Sequence, residues 1–317
     1  MKKFLLFSLK VLLIPILIIV VNIVVDYRSQ ERGISEMFLE DLRKNDSLTL
    51  KVNLPERKFI KYRIINDNQS FSNIVLGSSR SMIIGNQTSN EVLNLSVSSA
   101  ILKDFIEIFN LIKKNNVKVK SAIIEISPWI LNHHATDKRY LEFVESNYLK
   151  YLSYSYFLEN ITFPKYTLVE NNYSFRKYFD GSINYGSNYQ KNYIQKIKEY
   201  VRQSDLTNLE GFNKINDFKT NELIYFLNDL KKEGVQITFL KQPYPPSINS
   251  IILNRYPNIL ETDKIINQVS KEFNINIKGS FFPEEVGLID EDYYDGLHLT
   301  VQGTKKLLEF NSPKYTK

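Results

Sequence analysis

Two short segments, far apart in the chain, carry the residue types that acyl-transfer chemistry needs. One is a Gly-Ser-Ser turn that ends at Ser79, and the other is an Asp-x-x-His motif formed by Asp295 and His298. Serine is a weak nucleophile until a base removes its proton, and histidine is the usual base because it titrates near neutral pH. A carboxylate three residues earlier can fold back and accept the ring N–H. The pattern predicts a triad of Ser79, His298 and Asp295.

Each segment also has a purely structural interpretation. A serine-rich turn can cap a helix with a hydroxyl group, and a lone histidine can lie at the surface. Asp292 is a second carboxylate close enough in sequence to orient His298. The chain has only three histidines, and His298 lies where a helix is expected to begin. These two facts favour the catalytic interpretation, with Asp295 as the orienting residue.

The elements that must position these residues alternate along the chain. Short apolar runs predict strands, and apolar stripes with helical spacing predict the helices that follow them. The predicted strands lie at 73–76, 92–95, 122–126, 235–240 and 275–277. This alternation predicts an α/β fold, a three-layer, flavodoxin-like parallel sheet flanked by helices. Active sites of such sheets lie at the carboxyl ends of the strands, and Ser79 follows the first predicted strand closely.

The chain divides into three parts. Residues 1–27 predict a cytoplasmic tip and a transmembrane helix, residues 28–70 a polar connector, and residues 71–312 the catalytic domain. Residues 133–216 are rich in Tyr, Asn and Phe and break the alternation of strands and helices. We interpret them as an insertion over the active edge of the sheet, the edge where the carboxyl ends of the strands lie. It would serve either as a lid that binds substrate or as an ordinary packed subdomain.

Residues 4–25 are almost entirely apolar and follow Lys2 and Lys3. About 20 such residues cross a bilayer, and the lysines predict a cytoplasmic N-terminus. A cleaved signal peptide is the alternative, but the apolar region is long and no small-x-small cleavage site follows it. We therefore predict a bacterial single-pass protein of the cell membrane, with its C-terminal domain outside the cytoplasm.

Composition narrows the possible chemistry. The absence of cysteine excludes disulfides, thiolate metal sites and cysteine nucleophiles, and three histidines are few for a metal site. We expect neither a metal nor a cofactor. The net charge is +6, but Lys and Arg are spread beside Asp and Glu, as on a solvated surface. We therefore expect no nucleic-acid partner.

Together these motifs resemble the SGNH (GDSL-like) hydrolase superfamily, in its membrane-anchored branch of DltD-like and polysaccharide O-acetylation proteins. Ser79 matches the family's nucleophile, and Asp295 and His298 match the other two triad members. Residues 94–100, Asn-Leu-Ser-Val-Ser-Ser-Ala, look like the family's second block, which puts Ser99 at the oxyanion-hole position. The third block usually has Gly-x-Asn, whereas here a Ser-Pro-Trp sequence follows the strand. The resemblance covers roughly residues 72–131 and 235–310, plus the anchor.

The resemblance implies an extracytoplasmic serine acyl-group enzyme of SGNH-like fold. It would perform O-acyl (O-acetyl) transfer to a cell-envelope glycopolymer, or esterase action on one, through an acyl-enzyme. A multi-spanning membrane O-acyltransferase is the implied partner. The oxyanion or substrate candidates are Ser99, Ser127, Trp129 and Arg80, of which Arg80 could instead pair with a carboxylate. The alternative is a non-catalytic assembly or binding protein on the same scaffold.

Overall fold

The computed structural model describes most of the chain. The described residues are 13–22, 30–50, 56–66, 72–85, 88, 91–135, 138–143, 175–184, 191–206 and 208–311. Their strands are β1 (Ser47–Leu50), β2 (Asn73–Leu76), β3 (Leu93–Asn94), β4 (Ser121–Ile126), β5 (Phe175–Tyr178), β6 (Ile183–Asn184), β7 (Gln236–Lys241) and β8 (Asn276–Gly279). Their helices are α1 (residues 13–22), α2 (Gln30–Asn45), α3 (Glu56–Asn66), α4 (Leu102–Lys114), α5 (Lys191–Gln203), α6 (Asp217–Lys232), α7 (Pro246–Arg255), α8 (Asn258–Glu272), α9 (Pro283–Val286) and α10 (Val301–Glu309).

A five-stranded parallel sheet forms the centre, in the order β3-β2-β4-β7-β8. Its central strands are apolar because helices cover the sheet, as burial of a parallel sheet requires. Ile74, Val75 and Leu76 in β2 are at most 1% exposed. This confirms the predicted α/β class, the parallel sheet and its five strands to within a few residues at each end.

The helices bury the apolar stripes that predicted them. In α4 the buried side chains include Phe105, Ile108, Phe109 and Ile112, which recur at intervals of three and four residues and so share one face. The helix α7 was not predicted, because the prolines before it suggested a loop. Proline is nevertheless well suited to the first turn of a helix, where its missing N–H has no partner to lose.

A second, three-stranded sheet was also not predicted. It is antiparallel, in the order β1-β5-β6, and pairs a strand from the predicted connector with two from the predicted insertion. The connector also contributes to the main core, since Ile60 and Ile64 of α3 are buried there. A buried ion pair between Arg57 of α3 and Asp104 of α4, 2.8 Å long, joins the two helices.

Two predictions fall partly outside the described residues. Of the predicted insertion, residues 136–137, 144–174, 185–190 and 207 are not described. Of the predicted membrane segment, residues 4–25, only residues 13–22 are described. Among the described helices, none combines the length and the apolar character that a bilayer crossing needs.

Candidate active site

The turn after β2 presents Ser79. At Gly77 a β-carbon would lie 2.0 Å from Ser81 Oγ and 2.8 Å from the β-carbon of Glu125, so only glycine fits. The chain then enters a 3₁₀ turn, Ser79–Ser81, in which the Arg80 backbone N–H donates to Ser78 Oγ. Ser78 is buried, but Ser79 is partly exposed. The turn therefore lifts the Ser79 side chain to the carboxyl edge of the sheet.

A buried carboxylate holds this turn from below. Glu125, at the end of β4, is fully buried and accepts a hydrogen bond of 2.7 Å from the Ser78 backbone N–H. Its two oxygens also accept from Ser78 Oγ at 2.9 Å and from Ser127 Oγ at 2.8 Å. Bonds to a charged acceptor are among the stronger hydrogen bonds in proteins. Glu125 thus fixes the backbone immediately before the nucleophile and also engages Ser127.

The second block supports the turn from the side. Asn94, at the end of β3, donates through Nδ2 to the carbonyl oxygens of Ser81 and Ile84, both at 2.8 Å. Its own side-chain oxygen accepts from the Ser96 backbone N–H at 2.9 Å. This single buried amide therefore ties the end of the Ser79 turn and the residues that follow it to β3, the neighbouring strand.

The three predicted triad residues come together. His298 Nε2 lies 3.0 Å from Ser79 Oγ, and His298 Nδ1 lies 2.9 Å from Asp295 Oδ2. An ionised carboxylate only accepts hydrogen bonds, so Nδ1 carries the proton. In that tautomer Nε2 carries no proton, so it can accept the Ser79 hydroxyl proton, as a general base must.

Asp295 is shaped for the orienting role. Its other oxygen, Oδ1, accepts from the backbone N–H groups of Leu297 and His298, each at 2.7 Å. Burial by itself raises the pKa of Asp295, but the attraction of His298 and these hydrogen bonds outweigh burial and hold the pKa below its usual value. The rival carboxylate, Asp292, is engaged elsewhere, with both oxygens 2.9 Å from Lys306 Nζ.

The predicted helix cap after the motif is present. Thr300 Oγ1 accepts from the Gly303 backbone N–H at 3.1 Å and starts α10. Its hydroxyl also donates to the Asp292 carbonyl oxygen at 3.0 Å. The loop that carries Asp295 and His298 is thereby anchored to the first turn of α10.

A small pocket of about 120 Å³ opens beside Ser79. Ordinary sites for drug-sized ligands measure roughly 300–1,000 Å³, so this pocket suits a short group. Its apolar lining comes from Trp129, Leu206, Tyr244 and Leu297. Trp129 is held by a bond of 3.2 Å from its indole N–H to the Ala100 carbonyl.

Two further candidates, Ser99 and Arg80, also line the pocket, whereas Ser127 does not contribute to the lining. The Arg80 guanidinium is buried and donates to the carbonyl oxygens of Gln242 and Pro243. It also lies 4.4 Å from the centre of the Tyr244 ring. Within the described residues Arg80 forms no ion pair, so its contact with an anionic substrate stays a prediction.

Sequence patterns did not identify several residues of the site, among them Glu125, Leu206 and Asn208. Glu125 was counted as part of a strand, and Leu206 and Asn208 lie in the predicted insertion, which offered no motif. Among the described residues, no group of three or more His, Asp or Glu side chains is arranged to hold a metal ion. Comparison with known proteins found no matching family model, no curated relative and no similar solved structure.

Proposed function

We propose that this chain is a serine acyl-group enzyme of the SGNH type. The observation that carries the proposal is the hydrogen-bonded chain from Ser79 through His298 to Asp295 at the mouth of a pocket. A surface histidine or a simple helix-capping serine has no need of this arrangement. The same three roles recur on unrelated folds, and they are identified by geometry rather than by sequence order.

The proposed reaction has two steps. Ser79 Oγ attacks the carbonyl carbon of an acyl ester while His298 Nε2 takes the hydroxyl proton, and Asp295 stabilises the imidazolium. The ester C–O bond breaks, and His298 returns the proton to the departing alcohol, which leaves an acyl-Ser79 ester. A sugar hydroxyl or water then attacks this ester and passes its proton to His298. The bond between the acyl carbon and Ser79 Oγ breaks, and His298 returns the proton to Oγ.

The pocket supports a short acyl group, such as acetyl. Its volume of about 120 Å³ is small, and four of its lining residues are apolar or aromatic. Such a lining suits the methyl group of an acetyl ester more than a charged acyl group. We propose O-acyl transfer to, or esterase action on, a cell-envelope glycopolymer. The proposal includes an anchor at residues 4–25 that holds the enzyme outside the cytoplasm, beside a multi-spanning membrane O-acyltransferase.

A turnover assay with the full chain tests the proposal. Wild type is compared with Ser79→Ala and His298→Ala on p-nitrophenyl acetate. Ser47→Ala is the matched control, because Ser47 begins β1 in the separate antiparallel sheet. Turnover that is lost in both site variants and kept in the control is the expected result. A wild type without turnover would instead favour a non-catalytic assembly or binding protein.

A further inference from the structure

The loop that follows α5 brings Leu206 and one polar residue, Asn208, to the pocket. This loop is clamped on one side by an ion pair of 2.9 Å between Arg255 and Asp205. On the other side the fully buried Asn132 donates through Nδ2 to the Asn208 carbonyl oxygen at 2.7 Å. The Asn208 backbone is therefore held beside the pocket by its own carbonyl oxygen.

Asn208 and Ser99 share an uncommon backbone conformation. Their φ angles are +68° and +51°, in the left-handed region, which is sparsely populated by residues other than glycine. Residues held in this region tend to cluster at functional sites. The two residues also touch, since Asn208 Nδ2 lies 3.4 Å from the Ser99 carbonyl oxygen. Both line the pocket that contains Ser79.

These two residues offer hydrogen-bond donors that lack a good acceptor. Within the described part of the chain, no group accepts from the Ser99 backbone N–H, and the Asn208 amide makes only its long contact with Ser99. An amide nitrogen carries two hydrogens, so at least one remains unused. The pocket lining contains no carboxylate that could accept from either residue. A substrate oxygen is the acceptor that would complete the arrangement.

We propose that Asn208 is a catalytic residue whose amide N–H, together with the Ser99 backbone N–H, binds the oxyanion formed when Ser79 attacks an acyl carbonyl. This inference rests on the proposed acyl-transfer function and deepens it. Negative charge develops on the carbonyl oxygen beside Ser79 Oγ, and donors fixed near that point stabilise the transition state more than the bound ester. The side-chain donor is Asn208 of the predicted insertion, since the segment after β4 is Ser-Pro-Trp and contains no asparagine.

The test uses two substitutions that respect the backbone conformation at Asn208. Asn208→Asp keeps the side-chain shape but removes the N–H donors. Asn208→Gly removes the side chain, and glycine adopts a positive φ without strain. Asn274→Asp and Asn274→Gly are the matched controls. Asn274 also has a positive φ, +48°, and it precedes β8, at the end of the sheet opposite the active edge.

Turnover of p-nitrophenyl acetate and the free energy of unfolding are measured for all five proteins. We expect kcat to fall about 10²–10³-fold in both Asn208 variants, with KM and stability close to wild type and with both controls unaffected. A fall in kcat without a rise in KM marks an interaction made only in the transition state.

Three results would overturn the inference. One is a kcat within about threefold of wild type in either folded Asn208 variant. Another is a raised KM with unchanged kcat, because it would mark ordinary substrate binding. In both of these cases the proposed function stands. A wild type without turnover removes the proposed function itself, and the inference with it.

Discussion

The buried carboxylate of Glu125 allows a quantitative test of how the nucleophile is held. In Glu125→Ala the Ser78 backbone N–H loses the acceptor that now lies 2.7 Å away, in a buried position. An unsatisfied buried donor costs about 1–3 kcal/mol. The loss of one buried methylene adds about 0.8 kcal/mol. The free energy of unfolding should therefore fall by about 2–4 kcal/mol.

Glu125→Gln separates the charge from the shape. Its amide oxygen can still accept from Ser78 N–H, while its NH₂ group donates to the hydroxyl of Ser127, which can accept as well as donate. Only the extra strength of hydrogen bonds to a charged acceptor is lost, about 1 kcal/mol for each bond. We therefore expect a loss of about 1–2 kcal/mol in stability and less than tenfold in kcat.

The assay can use the chain's own fluorescence. Trp129 is the single tryptophan, and it is buried in the pocket lining. Its emission can follow urea unfolding of the full chain, while p-nitrophenyl acetate reports kcat. In Glu125→Ala we expect kcat to fall about 10²-fold, the size associated with a displacement of about 1 Å at the reacting group. The control is Glu233→Ala, because Glu233 is exposed and lies at the end of α6. Equal stability and turnover in Glu125→Ala and Glu233→Ala would show that Glu125 does not hold the nucleophile in place.

Three other substitutions test the site and the fold. Asp295→Asn should lower kcat about 10⁴-fold with little change in stability, because its NH₂ group would force the proton of His298 from Nδ1 to Nε2; kinetics with p-nitrophenyl acetate measures this, and activity within tenfold of wild type would contradict it. Gly77→Ala should abolish turnover and lower the unfolding temperature, since its β-carbon would lie 2.0 Å from Ser81 Oγ; a wild-type melting curve would exclude the clash. Burial lowers the pKa of Lys177 to about 8 in the folded chain, whereas the ordinary pKa of lysine is about 10.4. Between these two pH values the unfolded chain holds a proton on Lys177 that the folded chain has lost, so stability rises with pH in that window. Lys177→Met should flatten this rise, which urea unfolding at several pH values measures, and an unchanged slope would assign it to other groups.

The parts of the fold that the sequence predicts are those with local signals. The strand β2 is a short apolar run because helices cover the sheet, and helices such as α4 carry an apolar stripe. The antiparallel sheet lacks such a signal, because its pairing depends on contacts between distant segments, such as Ser47 with Tyr178. Tertiary context of this kind is invisible to a local pattern.

The same distinction holds for the site. Ser79 and His298 lie in short motifs, and the rule that active residues follow parallel strands places Ser79 at the carboxyl edge of the sheet. Glu125 could not be predicted, since a glutamate at a strand end is ordinarily solvated, and only the fold shows that it is covered. Asn208 could not be predicted either, because its contact with Ser99 spans 109 residues.

Trapping the acyl-enzyme is the most direct test of covalent catalysis by Ser79. The full chain is incubated with p-nitrophenyl acetate, quenched in acid, digested and examined by mass spectrometry, with Ser79→Ala in parallel. The proposed mechanism predicts one acetyl group on the peptide that contains Ser79 in wild type and none in the variant. Absence of the adduct in a wild type that turns over the ester, or an equal adduct on another residue in Ser79→Ala, would contradict a Ser79 acyl-enzyme.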